Sequence, residues 1–218
     1  MKNLKVQPVD WSYSEKETWE CHGHQFQSPI NINNNDTKPM NDDGELILRY
    51  RKKVNAIVNT GYSLQGYAKG IAEINHRTFE FQQFHFHAHG EHTVDGKVFP
   101  LELHLVNQSE SGQIAVIGIL FEIGEANPTF DELLNHVNQS DFDNHINVLS
   151  LVPKKLDYYH YLGSLTTPPL TEIVEWYVLT HPMTISLDQL NRMKLINKEN
   201  FRETQDLNGR QVLKKVFE

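Results

Sequence analysis

The feature that most constrains this chain is the placement of three histidines on two segments with the alternation of β-strands. His85 and His87 are two residues apart, so on a strand both imidazoles leave the same face. The second segment, Leu101–Asn107, places His104 on the same face as Glu102. Antiparallel pairing of the two strands would bring the three imidazoles together. Three neutral histidines that leave a fourth position open are typical of a catalytic zinc site, because a structural site is closed by a fourth protein ligand.

The neighbours of the histidines help to decide between a metal site and ordinary exposed polar alternation. The chain has 12 histidines among 218 residues, so some close pairs arise by chance. Gln83 and Glu102, however, each lie two residues before a histidine and on its own face. There a side-chain oxygen could accept the second ring N–H, which is how the orientation of a metal-bound imidazole is commonly fixed. The sequence therefore favours a zinc site.

A cupin-type site for iron or manganese is a competing interpretation. His85, His87 and Glu91 fit the spacing H-x-H-x₃-E, and Pro100 precedes His104. The glycines expected around that pattern are missing, and Glu91 lies beyond the first strand. The zinc interpretation therefore remains the stronger of the two.

Composition limits the classes of function that are open to the chain. Hydrophobic residues make up 39% and charged residues 22%, which is typical of one globular domain over residues 1–218. The net charge of −8 argues against nucleic acid or an anionic membrane surface as a partner. No apolar run approaches the roughly 18 residues that span a bilayer. A homodimer remains open.

The expected location rests on two features of the sequence. The N-terminal residues lack the apolar core of a secretory signal, and Cys21 is the only cysteine, so no intrachain disulfide can form. We therefore expect a cytoplasmic protein. The alternative is an exported protein whose signal peptide has been removed.

Short alternating or apolar segments separated by Gly, Asn, Asp and Pro predict a mostly β domain. The predicted strands are Glu45–Tyr50, Ala56–Asn59, Ser63–Tyr67, Thr78–His87, Leu101–Asn107, Ile114–Ile123 and Glu172–Thr180. Two short helices are predicted, one after Asn127 and one after Ser186, where Gln189 completes a capping-box pattern. Gly118, within a strand that reads as buried on both faces, would leave room for a close neighbour.

Further motifs resemble one known family along residues 11–212, nearly the whole chain. Besides QFHFH and ELHLV around the histidines they are QSPINI (27–32), VNTG (58–61), EHTVDGK (91–97), AVIG (115–118), GSLTTPPL (163–170), NFR (200–202), LNGR (207–210) and Trp176. In this order they resemble the α-class carbonic anhydrases of bacterial type. The resemblance implies a single domain with a large, mainly antiparallel central sheet and short peripheral helices. It also implies reversible hydration of carbon dioxide to bicarbonate and sensitivity to sulfonamides.

By resemblance, His85, His87 and His104 hold Zn²⁺, and the backbone carbonyl of Asn200 orients His87. A water would be the fourth ligand, and the metal would lower its pKa to about 7, the value known for carbonic anhydrases in general. The hydroxide so formed would attack carbon dioxide.

The family also implies roles for residues that surround the metal. Thr166 would accept a hydrogen bond from the hydroxide and donate one to the carboxylate of Glu91, and Thr167 would line the same rim. His92 resembles a buried histidine that supports the fold. An apolar wall for carbon dioxide would be formed by Val106, Val116, Leu165, Val174 and Trp176.

Tyr62 is the largest departure from the family pattern. Fast members have a histidine here that relays the proton to solvent, and a phenol with a pKa near 10 is a poor relay at neutral pH. His89 is a possible substitute, although a surface role is the better interpretation.

Leu170 stands where exported members have the second cysteine of a disulfide, and Glu203 replaces a proline. A non-catalytic carbonic-anhydrase-like binding module is an alternative function, but such modules have lost histidine ligands.

Overall fold

The computed structural model describes residues 11–19, 25–140 and 145–217. Within these residues the chain is mostly β, which confirms the predicted fold class. The strands are β1 (Asn31–Ile32), β2 (Lys38–Pro39), β3 (Leu46–Asn59), β4 (Leu64–Ile74), β5 (Arg77–His87), β6 (Thr93–Val94), β7 (Lys97–Val98), β8 (Leu101–Gln108), β9 (Ile114–Ile123), β10 (Gln139–Ser140), β11 (Tyr158–Gly163), β12 (Val174–Leu179), β13 (Met183–Ile185) and β14 (Leu213–Lys215).

The helices are short, and none of them contains His85, His87 or His104. The α-helices are α1 (Pro128–Asn135) and α2 (Leu187–Ile196), and 3-10 turns occupy Tyr13–Thr18, Asn34–Asp36 and Val148–Leu151. Both predicted helices are present. The Asn127 side chain accepts the N–H groups of Thr129 and Phe130 and so caps α1. Ser186 and Gln189 form the predicted capping box of α2.

One large sheet organises the described part of the chain. Its strand order is β10-β3-β4-β5-β8-β9-β12-β11-β14-β2, with β13 beside β9. Every pairing from β10 to β9 is antiparallel, whereas β9 pairs in parallel with β12 and β13, and β14 pairs in parallel with β2. A small separate sheet contains β1, β6 and β7.

The structure corrects several predicted strand boundaries. The segments Glu45–Tyr50 and Ala56–Asn59 are parts of one strand, β3, whose register against β4 shifts on both sides of Val54. Such bulges interrupt the alternation by which strands are recognised. Strand β11 was not predicted, because its mostly buried, aromatic-rich sequence YYHYLG has no two-residue alternation. Strand β12 is shorter than the predicted Glu172–Thr180.

The central strands separate an apolar core from the face that carries the histidines. Leu101, Leu103 and Leu105 of β8 are fully buried in the main core cluster, as are Phe84 and Phe86 of β5. The alternate residues of both strands point to the opposite face, where a second apolar cluster forms around Trp176. This alternation places polar side chains in a buried, rigid setting.

Two further expectations from the sequence concern the single cysteine and membrane-spanning segments. Cys21 lies outside the described residues. Among the residues that are described, neither α1 nor α2 nor any other helix has the length and apolar character needed to cross a bilayer.

Candidate metal centre

The three histidines converge on the face of the sheet that β5 and β8 share. The two strands pair antiparallel with His85 directly opposite His104, and His87 opposite Glu102. The ring centroids of His85 and His87 are 4.9 Å apart, those of His85 and His104 are 5.1 Å apart, and those of His87 and His104 are 4.6 Å apart. One ring nitrogen from each lies within 4.8 Å of the others. This spacing allows one ion to be bound by all three.

Hydrogen bonds determine which nitrogen of each β5 histidine remains free. The Nδ1 of His85 lies 2.9 Å from Oε1 of Gln83, and the Nδ1 of His87 lies 2.6 Å from the backbone oxygen of Asn200. Both partners are oxygens that can only accept, so each Nδ1 carries the proton. The lone pair of Nε2 is therefore available on both rings.

On β8 the arrangement is reversed. The Nε2 of His104 donates to Oε1 of Glu102 at 2.9 Å, so its free lone pair is on Nδ1. The buried Nε2 of His87 has no hydrogen-bond partner among the described residues. A buried polar atom without a partner is costly unless another group occupies the position. The donor set therefore fits a metal ion that accepts imidazole ligands, zinc among them.

The protonation state of the rings also suits metal binding. Burial lowers the pKa of all three histidines, to about 4 for His87. Neighbouring imidazoles add to the effect for His85. The rings are consequently neutral at physiological pH, the form in which imidazole is a ligand.

Glu102 is the most heavily hydrogen-bonded group of the site. Besides His104, its carboxylate accepts the backbone N–H of Glu91 at 2.7 Å, the backbone N–H of His92 at 2.8 Å and the Nδ1 proton of His92 at 2.7 Å. Burial raises the pKa of Glu102, but His92, His104 and these hydrogen bonds outweigh it and hold the pKa well below its usual value. A Cβ atom at Gly118 would lie 3.1 Å from Oε1 of Glu102, so the glycine provides the predicted space.

Glu91 lies beside the histidines and next to Thr166. Its Oε1 accepts the backbone N–H of Arg202 at 2.8 Å and lies 3.5 Å from Nδ1 of His87. Its buried Oε2 has no partner with ordinary hydrogen-bond geometry among the described residues. Burial raises the pKa of Glu91 to about 7, and the nearby Thr166 hydroxyl acts in the opposite direction. Thr166 is itself buried.

His85 and His87 line a cleft with a volume of about 220 Å³. The residues that line it include His85, His87, Gln83, Thr167, Trp11, Tyr13 and Tyr62. Tyr62 is 39% exposed, and its ring stacks on that of Trp11 with a centroid distance of 4.3 Å. Tyr62 thus lines the cleft, whereas His89 is not part of its lining.

The predicted apolar wall forms part of the second core cluster. Val116, Val174 and Trp176 are buried there, and Val106 and Leu165 pack against them. The ring of Trp176 lies 4.8 Å from that of His104. The indole N–H donates to the backbone oxygen of Ser164, which fixes the ring.

Three contributions were not foreseen from the sequence. Arg202 was noted only as part of a motif, and its contact with Glu91 joins residues 111 positions apart. Tyr13, which lines the cleft, had no motif to mark it. His92 was expected to be buried, but its contacts with Glu102 and the Tyr161 hydroxyl, both at 2.7 Å, were not predicted.

The fold and this site define a β-sheet protein whose three histidines are arranged for one metal ion, and comparison with known proteins gives the family. The family model described as "Eukaryotic-type carbonic anhydrase" matches residues 6–216. A carbonic anhydrase of Pectobacterium atrosepticum is 36% identical over 94% of this chain and 86% of its own length. The chain therefore belongs to the carbonic anhydrase family, in its α class.

Solved structures agree with this assignment. The α-carbonic anhydrase of Photobacterium profundum superimposes with a TM-score of 0.85 at 32% identity, over 94% of this chain and all of that one. The α-carbonic anhydrase of Thermovibrio ammonificans, solved with the inhibitor sulfanilamide, gives a TM-score of 0.81 at 34% identity over 86% of both chains.

Replacing one of the converging histidines tests the metal centre. We expect the wild-type protein to bind one zinc ion, and His104→Ala to lose stoichiometric binding because two imidazoles cannot replace the third ligand. His181→Ala, which removes an exposed histidine away from the cluster, is the control. Zinc content after dialysis, measured by mass spectrometry, checks the prediction. Equal zinc content in His104→Ala and the wild type would contradict it.

Proposed function

We propose that this chain catalyses the reversible hydration of carbon dioxide to bicarbonate and a proton, with Zn²⁺ held by His85, His87 and His104. The observation that carries the proposal is the convergence of three neutral imidazoles with free lone pairs, in a chain that belongs to the carbonic anhydrase family. A bound zinc ion would supply Lewis acidity, which lowers the pKa of coordinated water to about 7 in carbonic anhydrases generally.

The protein's own contribution begins with fixed ligand orientation. Gln83, Asn200 and Glu102 each accept the ring proton that is not needed at the metal position. Their oxygens hold the rings in one tautomer and one orientation. Loss of a hydrogen-bond acceptor that orients a ligating histidine typically lowers metal affinity by tenfold to about 100-fold.

Thr166 and Glu91 are proposed to orient the reacting oxygen. A Thr166 hydroxyl that donates its proton to Glu91 keeps only acceptor capacity, so it aligns a donor O–H in the cleft. This alignment would point the reacting oxygen at carbon dioxide, which carries no charge by which the protein could position it. The N–H of Arg202 holds the carboxylate in place for this contact.

The apolar wall is proposed to receive carbon dioxide. Trp176 is buried beside His104, and Val116 and Val174 are buried in the same cluster as Trp176. The valines have no polar atom in their side chains, and the indole N–H already donates to Ser164, so these side chains offer no hydrogen bond to water. An apolar gas therefore competes well with water for this position. Thr167 at the cleft wall is a position at which the product could be bound.

Two rival functions differ from this proposal in what they predict. Family membership removes the basis for the cupin-type interpretation, and Oε1 of Glu91 is already engaged by Arg202. A non-catalytic binding module would show no hydration activity. The three histidines, Glu91 and Thr166 are all retained and brought together here, which supports an enzyme.

Stopped-flow hydration of carbon dioxide tests the proposal directly. We expect zinc-loaded wild-type protein to accelerate hydration and sulfanilamide to inhibit it. Thr166→Val should lower kcat/KM by about 100-fold through lost orientation, and Thr78→Val, an exposed threonine on β5, should not. Absence of hydration by the zinc-loaded wild type would overturn the proposed function.

The Tyr62 position predicts a limit on turnover. A phenol with a pKa near 10 exchanges protons poorly at neutral pH, and an imidazole with a pKa near 6.5 does so well. Tyr62→His should therefore raise kcat at low buffer concentration by about tenfold. Tyr62→Phe keeps the ring on Trp11 and should behave as the wild type.

Buffer dependence provides the control for this second experiment. Small imidazole buffers should raise the rate of the wild type and bring it close to that of Tyr62→His. A rate that is the same in all three proteins at low buffer would show that proton export through this position does not limit turnover.

A further inference from the structure

A cavity of about 670 Å³ lies between the C-terminal half of α2 and the segment that follows His87. We call it the α2 groove, and its walls include Ala88, His89, Lys194, Leu195, Lys198 and Phe201. None of these six residues lines the cleft of the histidines. The volume is within the range of roughly 300–1,000 Å³ that is usual for small-molecule sites.

Part of the lining of the groove is apolar. Leu195 is 82% exposed, although its neighbour Met193 on the same helix is fully buried. The ring of His89 packs on the ring of Phe201 with a centroid distance of 3.6 Å. An exposed leucine in the same lining as the Phe201 ring is apolar surface that a ligand could cover.

The rim of the groove is positively charged in a protein whose net charge is −8. Lys194 and Lys198 are exposed and have no ion-pair partner among the described residues. Glu199 is the one carboxylate of the lining. Lys16 lies over the ring of Phe201, 4.3 Å from its centroid, but it is paired with Glu203 at 3.6 Å and adds no unpaired charge to the rim. The charge at the rim is therefore complementary to an anion.

We propose that the α2 groove binds a small apolar carboxylate, with the hydrocarbon part on Leu195 and Phe201 and the carboxylate between Lys194 and Lys198. The ammonium groups of Lys194 and Lys198 select the negative head, and the apolar part of the lining selects a planar aromatic or short aliphatic body. The N-terminal segment of this chain is a poor occupant, because it carries Lys2 and Lys5 and would be repelled.

The groove lies directly behind the metal ligand His87. Ala88 donates its N–H to Oδ1 of Asn200 at 2.9 Å, and the backbone oxygen of Asn200 accepts from His87. Phe201 follows Asn200 in the chain. A ligand in the groove would thus contact the neighbours of both residues without entering the cleft.

Titration with 2-naphthoate, followed by calorimetry, tests this site. We expect one binding event, weakened by added NaCl because the lysines are exposed. Lys194→Gln/Lys198→Gln should weaken binding by about fivefold to tenfold. Lys52→Gln/Lys53→Gln removes the same charge from exposed positions on β3 and should leave the affinity unchanged. The neutral 2-naphthalenemethanol should bind more weakly than 2-naphthoate.

Chemical shifts measured by NMR would identify which residues contact the ligand. Amide resonances of Ala88, Leu195 and Phe201 should shift on addition of 2-naphthoate in proportion to occupancy. His104→Ala should retain the binding, which separates this site from the proposed metal chemistry. Equal affinity in the two double variants, loss of binding in His104→Ala, or shifts confined to the cleft would overturn the proposal.

Discussion

The buried carboxylate of Glu102 is the group on which the rest of the site depends. An isolated ionised carboxylate in a protein interior is strongly unfavourable, so it must be paired and fully hydrogen-bonded. Glu102 receives hydrogen bonds from His104, from both the ring and the backbone of His92, and from the backbone of Glu91. These contacts keep its pKa well below the usual value despite burial.

This one anion connects elements that would otherwise be independent. Through His104 it orients a residue of β8, and through the N–H of Glu91 it fixes the turn that follows β5. The same turn brings the Glu91 side chain to His87 and Arg202. The hydrogen bonds that converge on Glu102 hold these groups in one arrangement, and a fixed arrangement is what catalysis on a small substrate requires.

The alternation of residues within strands explains which parts of the site could be predicted from the sequence. The strand parity of His85, His87 and His104, and the acceptors two positions before two of them, follow from local geometry. Asn200 is different, because it meets His87 across 113 positions of sequence, and only the resemblance to a family indicated it. Strand β11 escaped prediction because its sequence YYHYLG has no alternation of polar and apolar residues. The bulges in β3 hid the continuity of a single strand.

The affinity for zinc of Glu102→Gln is the measurement that tests this account most directly. An amide cannot carry the negative charge, and its NH₂ group opposes the donors that now converge on the carboxylate. The dissociation constant for zinc, measured by competition with a chelator, should rise by tenfold to about 100-fold. Glu175→Gln, at the buried carboxylate that pairs with Arg77 on another part of the sheet, should leave it unchanged. Equal affinity for zinc in Glu102→Gln and the wild type would contradict the central role given to Glu102.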